Sequence, residues 1–159
     1  MMITVAIADL ACVRGGTDEV LVTYALGSCV GVCLYDEIER TAGLIHIMLP
    51  WSRDAAYDDN RRRYADTGIT ELIGKMISLG ASKSRLVAKI AGGAQMFGSA
   101  SGMFNIGERN VEAAEHVLGA YDIPVIGRDV GGSCARTLYL HTDTGLAEVK
   151  TAMRQIRTL

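Results

Sequence analysis

The sequence lacks several features that would place a protein in a familiar class. Sixteen basic residues face 18 acidic ones, a net charge of −2, so no positive surplus indicates binding to nucleic acid or to an anionic membrane. The apolar runs have the length of strands, and none approaches the roughly 20 residues that cross a bilayer. No G-x-G-x-x-G or Walker sequence opens a predicted helix, so the segment 91–94 (AGGA) is expected to be a tight turn.

Cysteine and histidine are scarce, and their spacing limits the chemistry open to them. The four cysteines are Cys12, Cys29, Cys33 and Cys134. None of them forms a C-x-x-C pair and only three histidines are present, which disfavours a zinc site and a redox protein. Cys29 and Cys33 would lie about 13 Å apart on one extended strand, too far for a disulfide. Residues 1–4 carry no basic signal region, so we expect reduced thiols in a cytoplasmic protein.

Length and periodicity predict a single domain over residues 1–159, with a hydrophobic content of 49%. Strands are predicted at 3–8, 19–24, 29–35, 42–49, 85–91, 123–130, 136–141 and 146–153. Helical spacing predicts one helix from about residue 66 to 79 and another over 107–118, with loops at 14–18 and 51–63. This order favours an α/β fold of the α+β type, a layered sandwich of mixed β-sheets covered by two main helices, over a doubly wound parallel sheet.

The segment Leu26–Cys33 (LGSCVGVC) is the strongest candidate for chemistry. Cys29 follows a Gly27-Ser28 turn, where glycine permits a close approach of the backbone and the thiol can face an incoming group. His46 lies on a second apolar strand-like segment and could meet Cys29 if the two strands are neighbours, which is one way to activate a sulfur nucleophile. The competing interpretation is a small buried cysteine and a structural histidine.

The other candidates are weaker on residue chemistry alone. Thr23, at the end of the strand before the turn, could exchange a hydrogen bond, although most such threonines only pack in a sheet. The remaining cysteines and histidines are assigned to packing, loop or surface positions: Cys12, Cys33, Cys134, His116 and His141.

Several blocks of the sequence together resemble one family. They are Thr23–Val30 (TYALGSCV), His46–Pro50 (HIMLP), Tyr64–Thr67 (YADT), Ala88–Phe97 (AKIAGGAQMF), Asn105–Asn110 (NIGERN) and Asp129–Gly132 (DVGG). In this order they resemble the chemoreceptor glutamine deamidases (CheD) of bacterial and archaeal chemotaxis. The blocks extend over most of the chain, and their combination is specific. The segment 51–63 matches none of them.

The resemblance implies an activity and a site. In this family a Cys–His–Thr set hydrolyses the side-chain amide of receptor glutamines to glutamate, which makes Cys29 the nucleophile, His46 the base and Thr23 the third member. The resemblance also implies a fold similar to the catalytic domain of the cytotoxic necrotizing factor toxins. The implied protein substrates are methyl-accepting chemoreceptors, and a CheC-like phosphatase is a second partner in some organisms.

Residue chemistry provides the implied reaction with a mechanism. A carboxamide is a poor electrophile, so the sulfur must attack as a thiolate, and an adjacent imidazolium would lower the pKa of Cys29 from about 8.5 to about 7. The amide N–H of Cys29 is the expected oxyanion donor, with Ser28 and Gly27 as oxyanion or substrate-binding positions. Thr23 would orient the imidazole of His46. No metal or organic cofactor is required.

Two other functions fit the same residues. A non-enzymatic adaptor or binding module would use its thiols only for structure, and a cysteine hydrolase could instead cleave receptor methyl esters. For the receptor contact, Gln95, Met96 and Phe97 are the predicted rim because they follow a double-glycine turn. Core packing at the start of a loop is the alternative for these three residues.

Overall fold

The computed structural model describes residues 1–55, 58–96, 105–153 and 155–159, which form ten strands and two α-helices. The strands are β1 (Met2–Thr4), β2 (Leu10–Arg14), β3 (Val20–Leu26), β4 (Val30–Asp36), β5 (Thr41–Ile47), β6 (Val87–Gly92), β7 (Val125–Val130), β8 (Arg136–His141), β9 (Ala147–Thr151) and β10 (Ile156–Thr158). The helices are α1 (Ala65–Ser78) and α2 (Ile106–Ala120). Within the described ranges, neither these helices nor any shorter one has the length and apolar character to cross a membrane.

The strands form two mixed five-stranded sheets. Sheet A has the order β1-β3-β8-β9-β10, and sheet B has the order β2-β5-β4-β6-β7. The β1–β3 and β6–β7 pairs are parallel, and the other pairs are antiparallel. Helices α1 and α2 pack against sheet B. The predicted α+β layered sandwich, with mixed sheets and two main helices, is confirmed.

The central strands of sheet B, β4 and β5, are buried on both faces, which explains their continuous apolar runs. Val30, Val32 and Leu34 face the helices and pack there with α1 residues such as Leu72. The alternate positions of β4 face sheet A. There a second cluster fills the space between the sheets and includes Cys29, Cys33, Leu21, Leu26, Leu138 and Leu140.

The N-terminal part of the prediction is wrong in one respect. The predicted strand 3–8 ends at Thr4, because the chain then crosses from sheet A to sheet B, and Ala8 has a left-handed φ of 57° on the way. Strand β2 follows and pairs with β5 at the edge of sheet B. The last strand, β10, was also not predicted. Both are edge strands with little buried surface, so no alternation of apolar and polar residues reveals them, and the partner of β2 also lies far away in the sequence.

The segment 51–63, predicted as a loop, contains two short 3₁₀ turns at Ser52–Asp54 and Arg61–Arg63. Its arginine run is not simply solvated. The Nη1 of Arg62 lies 2.6 Å from Asp9 Oδ1, and its Nη2 lies 2.8 Å from Glu71 Oε1. Residues 56, 57, 97–104 and 154 lie outside the described residues, and the predicted rim residue Phe97 is one of them.

Candidate active site

Cys29 lies where the chain passes from one sheet to the other. Strand β3 of sheet A ends at Leu26 and strand β4 of sheet B begins at Val30, so residues 27–29 make the crossing. The register between β3 and β8 shifts between Thr23 and Leu26, and Ala25 adopts a left-handed φ of 58°. This bulge redirects the chain toward sheet B. The side chain of Cys29 is 9% exposed and belongs to the cluster between the sheets.

His46 lies on the neighbouring strand β5, directly opposite Gly31 of β4. A Cβ on Gly31 would lie 2.7 Å from Leu138 Cδ2 and 3.1 Å from Leu26 Cδ1, both in sheet A. The glycine therefore lets the two sheets approach each other closely at this point. The methyl group of Thr23 lies 3.6 Å from the same Cβ position, so Gly31 makes the room in which Thr23 meets His46.

Thr23 fixes the orientation of the His46 ring. Its Oγ1 lies 2.8 Å from the carbonyl oxygen of Val5 and 2.7 Å from His46 Nδ1. A carbonyl oxygen can only accept, so the single hydroxyl proton is donated to Val5 and the Nδ1–H of His46 is donated to Thr23. With the proton assigned to Nδ1 in this way, Nε2 of the neutral ring carries the lone pair that a general base needs.

Cys29 and His46 are diagonal neighbours on one face of sheet B. Gly31 pairs with His46, and Cys29 precedes Gly31 by two residues; such diagonal positions are about 7–8 Å apart. Nε2 of His46 is buried and forms no hydrogen bond with any atom of the described residues. The structure thus brings all three predicted catalytic side chains between the sheets, with the basic nitrogen unengaged.

Burial governs the ionisation of this pair. It raises the pKa of the Cys29 thiol, an effect partly offset by the residue's own backbone N–H, and lowers the pKa of His46 to about 4. At neutral pH the resting pair is therefore a neutral thiol and a neutral imidazole. This differs from the expected imidazolium that lowers the thiol pKa to about 7, because a buried site disfavours either charge. The thiol proton must leave during the attack.

Gly92 and Gly93, to which the sequence analysis assigns no role at the site, support the nucleophile turn. Gly93 donates its N–H to the carbonyl of Cys29, and Ala94 donates to that of Gly27, both at 2.8 Å. Gly92 has a φ of +110°, and a Cβ there would overlap the carbonyl oxygen of Cys29. The tight turn predicted at 91–94 thus packs directly against the backbone of the nucleophile turn. The only sequence signal for this role at the site was the family block that contains the turn.

The backbone N–H groups of the nucleophile turn differ in whether they already donate a hydrogen bond to a backbone carbonyl. Gly27 donates its N–H to the carbonyl of Ala25 at 2.9 Å, so this amide is not open to a substrate oxyanion. The N–H groups of Ser28 and Cys29 donate to no backbone carbonyl among the described residues, and the N–H of Cys29 interacts with its own thiol. Gly27 matters sterically instead, because Met96 Cγ lies 3.0 Å from where its Cβ would stand. Met96 itself is 42% exposed.

The other cysteines lie in environments that differ from that of Cys29. Burial raises the pKa of Cys33, between the sheets, to about 12 and that of Cys12, beside α1, to about 11. Cys134 is exposed, between β7 and β8. Cys33 lies two residues after Gly31 and is therefore also diagonal to His46, but it is only 2% exposed, so burial separates it from a substrate. Cys12 packs with the cluster on the helix side of sheet B.

The other two histidines have partners elsewhere. The ring of His116 packs edge-on against Trp51, with 5.6 Å between ring centroids, and His141 Nε2 lies 2.6 Å from Glu148 Oε1. Across the residues that the structure describes, no three His, Cys, Asp or Glu side chains are grouped in a way that could hold a metal ion.

Comparison with known proteins identifies the family. The family model described as "CheD chemotactic sensory transduction" matches residues 48–151. A protein of Caldanaerobacter subterraneus subsp. tengcongensis, named probable chemoreceptor glutamine deamidase CheD, is 48% identical over 134 residues, or 83% of each chain. The chain belongs to the CheD family.

The likeness to CheD proteins also extends over the candidate site. The chemoreceptor glutamine deamidase CheD of Halalkalibacterium halodurans is 43% identical over 153 residues, covering 94% of this chain and 93% of its own. A probable chemoreceptor glutamine deamidase CheD of Pyrococcus abyssi is 42% identical over 155 residues, or 97% of this chain and 91% of its own. The family model begins two residues after His46. The match to the Pyrococcus abyssi protein covers 97% of this chain, so the few unmatched residues cannot include the whole segment 23–46 that carries the candidate site.

Proposed function

We propose that this protein is a chemoreceptor glutamine deamidase in which Cys29 is the nucleophile, His46 the base and Thr23 the residue that orients the imidazole. The observation that carries the proposal is the 2.7 Å hydrogen bond between Thr23 Oγ1 and His46 Nδ1. It commits one ring nitrogen to a fixed partner and leaves the other for proton transfer. A buried histidine kept only for packing would have both of its nitrogens satisfied. The names of the relatives supply the reaction and the substrate.

The first half of the reaction is acyl transfer to sulfur. The proton of the Cys29 thiol passes to His46 Nε2 as Sγ attacks the glutamine Cδ, so that the thiolate exists only as the C–S bond forms. His46 then returns this proton to the amide nitrogen. Ammonia leaves, and the substrate is held as a thioester on Cys29.

The second half is hydrolysis of the thioester. His46 Nε2 takes a proton from water, the hydroxide attacks the thioester carbon, and the C–S bond breaks. The sulfur recovers its proton from His46, and the product is glutamate. In both halves Thr23 holds Nδ1–H and stabilises the charge that develops on the ring, so the two protonation states share one ring orientation.

The negative oxygen of each tetrahedral intermediate is assigned to the N–H groups of Cys29 and Ser28. Neither donates to a backbone carbonyl in the described structure, and preorganised donors of this kind contribute about 3 kcal/mol each to transition-state stabilisation. Gly27 contributes by lacking a side chain at the point where the substrate amide must approach. Gln95 and Met96, both exposed beside the turn, are the proposed contacts with the receptor helix.

Methyl-accepting chemoreceptors are the proposed protein substrates, and the cytoplasm is the proposed site of action. A net charge of −2 offers little electrostatic steering, so salt is expected to change receptor binding only slightly. A CheC-like phosphatase as second partner, and a likeness of the fold to the catalytic domain of cytotoxic necrotizing factor toxins, are proposals that rest on the family resemblance.

Intact mass of a co-expressed chemoreceptor fragment tests the proposal. Each deamidation adds about 1 Da, whereas hydrolysis of a methyl ester removes about 14 Da, so the measurement also separates the ester hydrolase alternative. We expect the gain in mass with the wild-type protein and not with Cys29→Ala or His46→Ala. An adaptor without activity would leave the mass unchanged in every case.

Cys33→Ala is the matched control for Cys29→Ala. Both residues belong to the cluster between the sheets, and both changes remove one sulfur atom. We expect Cys33→Ala to retain deamidation and to lose about 1 kcal/mol of stability through the small cavity. Equal turnover in the two variants, measured as released ammonia, would remove Cys29 from the mechanism.

A further inference from the structure

Asn110 is a fully buried polar residue that the mechanism above does not use. It lies in the second turn of α2, and none of its surface is exposed to solvent. A neutral amide in such a place needs hydrogen-bond partners. Its two partners are backbone carbonyls that flank the active-site strands, one in the turn before β4 and one directly after β5.

The Asn110 amide connects the nucleophile turn to the end of the histidine strand. Its Nδ2 donates to the carbonyl oxygen of Ser28 at 2.9 Å and to that of Met48 at 3.0 Å. Ser28 immediately precedes Cys29, and Met48 lies two residues beyond His46. An NH2 group has two protons, and each of them is used on one of these carbonyls. One side chain therefore fixes both segments against α2.

The bond to Ser28 also determines the direction of the proposed oxyanion donor. The carbonyl of Ser28 and the N–H of Cys29 belong to the same planar trans peptide, so they point in opposite directions. When Asn110 holds that carbonyl toward α2, the N–H of Cys29 must point away from the helix. Accepting a hydrogen bond at the carbonyl also polarises the peptide and strengthens its N–H as a donor.

The other end of the amide argues against a purely stabilising role. Asn110 Oδ1 is buried and has no hydrogen-bond partner among the described residues. An unsatisfied buried acceptor is costly, and an apolar side chain of similar size would avoid that cost. The donor end of the amide is therefore the part of this residue that the fold uses.

We infer that Asn110 is a positioning residue, which orients the Cys29 peptide so that its N–H serves the oxyanion and keeps the nucleophile turn in register with the strand of His46. The inference rests on the proposed deamidase function. It assigns Asn110 no contact with the substrate. It predicts a loss in the rate of the chemical step, with little effect on substrate binding.

The test compares Asn110→Leu with Thr142→Val on a receptor fragment. Thr142 is a matched control, because it is also buried and also bonds two backbone carbonyls, those of Thr17 and Glu19, at 3.0 and 2.9 Å. We expect Asn110→Leu to lower kcat about 100-fold and to change KM less than about threefold. Thr142→Val should keep both constants within about threefold of the wild type.

Asn110→Asp adds a pH readout that a structural role would not produce. Its carboxylate would face two carbonyl oxygens, and only the protonated form can donate to one of them. We expect its kcat relative to wild type to increase as the pH is lowered from about 8 to about 5.5, because burial favours the neutral acid. A flat ratio over that range would contradict the inference.

Failure of the inference is separable from failure of the proposed function. If the wild type releases no ammonia, the proposed function fails. The rate at which iodoacetamide alkylates Cys29 then still tests whether Asn110 positions the nucleophile turn. We expect this rate to be roughly tenfold lower in Asn110→Leu than in Thr142→Val. A kcat for Asn110→Leu equal to that of the control overturns the inference. So does loss of folding in both Asn110 variants while Thr142→Val folds, because Asn110 would then be a stability residue.

Discussion

Cys29 and His46 are both too buried to hold a charge at rest, and this determines how the thiol reacts. Burial raises the pKa of Cys29 and lowers that of His46 to about 4, so the neutral pair predominates near neutral pH. In a resting ion pair the imidazolium would instead keep the sulfur ionised. The neutral pair and the ion pair differ in the pH at which the thiol ionises. A small alkylating reagent, which needs no substrate-binding site, reports that pH through its reaction rate with Cys29.

Alkylation of Cys29 by iodoacetamide is therefore expected to keep accelerating up to at least about pH 9. The measurement uses a Cys134→Ser background, because Cys134 is exposed and would consume reagent. Cys29 should still be labelled before Cys12 and Cys33, whose thiol pKa values are about 11 and about 12. Peptide mass spectrometry after timed quenching gives each rate. A plateau of the Cys29 rate near pH 7 would instead indicate a thiolate–imidazolium pair at rest.

The individual site residues were only partly predictable from the sequence. Cys29 and His46 stand out because a thiol after Gly-Ser and a histidine on an apolar strand are unusual, while the role of Thr23 came from the family resemblance. For Gly92 the sequence predicts only a turn, because its contact with the carbonyl of Cys29 joins residues more than 60 positions apart. The bonds of Asn110 to Ser28 and Met48 are equally remote in sequence. No local pattern reports such contacts.

At the scale of elements, the spacing between the sheets is set by a residue without a side chain. Gly31 lies opposite His46, and Leu138 and Leu26 of sheet A approach it so closely that a Cβ would clash. Thr23, also in sheet A, must stay within hydrogen-bond distance of the His46 ring. The geometry of the site therefore depends on how closely β3 and β8 pack over β4.

Gly31→Ala is expected to reduce kcat about tenfold, because forcing the sheets apart lengthens the bond between Thr23 and His46. Overpacking should also cost about 1–3 kcal/mol of stability. Gly43→Ala is the matched control: a Cβ there would lie 2.8 Å from both Leu72 Cδ1 and Met76 Sδ, on the helix side of the same sheet. Steady-state kinetics and urea unfolding compare the two. An equal loss of kcat in both variants would contradict a role for the sheet spacing.

The elements themselves were largely predictable, and the exceptions share a physical cause. Helix α1 shows its apolar positions at helical spacing, and the β4–β5 hairpin has a short polar connection, so both are visible locally. Strands β2 and β10 lie at sheet edges, where few of their residues are buried, and β2 in addition pairs with the distant β5. The assignment of strands to two separate sheets depends on such pairings, and periodicity does not contain them.

For the whole molecule, a buried carboxylate links the hairpin to the segment after α1. Asp36 has no exposed side-chain surface, and its oxygens accept from Arg85 Nε, from the N–H of Ser82 and from that of Ile38. Burial by itself would raise the pKa of Asp36, but the hydrogen bonds from Arg85 and Ser82 outweigh it and hold that pKa below its usual value. The carboxylate therefore stabilises the fold only while it is ionised.

The free energy of unfolding is expected to decrease in two stages as the medium is acidified. His46, with its lowered pKa, contributes stability that is full above about pH 6.5 and is lost as the pH falls toward 4. The contribution of Asp36 is full above about pH 4 and is lost as the pH falls through its own lower pKa. Asp36→Asn should cost about 2 kcal/mol at neutral pH and abolish the second stage only. Urea unfolding at about pH 7, 5 and 3 measures this; identical acid profiles for variant and wild type would refute it.

The residues of the candidate site belong to two separate ladders of backbone hydrogen bonds. Thr23 lies on β3 of sheet A, whereas His46 lies on β5 of sheet B and Cys29 directly precedes β4 of the same sheet, and each strand pairing stays within one sheet. The orienting hydroxyl is joined to the base by side-chain packing, by the bond at His46 Nδ1 and by the segment 5–9, whose backbone bonds to Val22 and to His46. A small sliding of sheet A relative to sheet B would therefore break the hydrogen bond between Thr23 Oγ1 and His46 Nδ1. The imidazole would lose its orientation and the protein its activity, while Cys29 stayed chemically unchanged and activity returned once the sheets slid back.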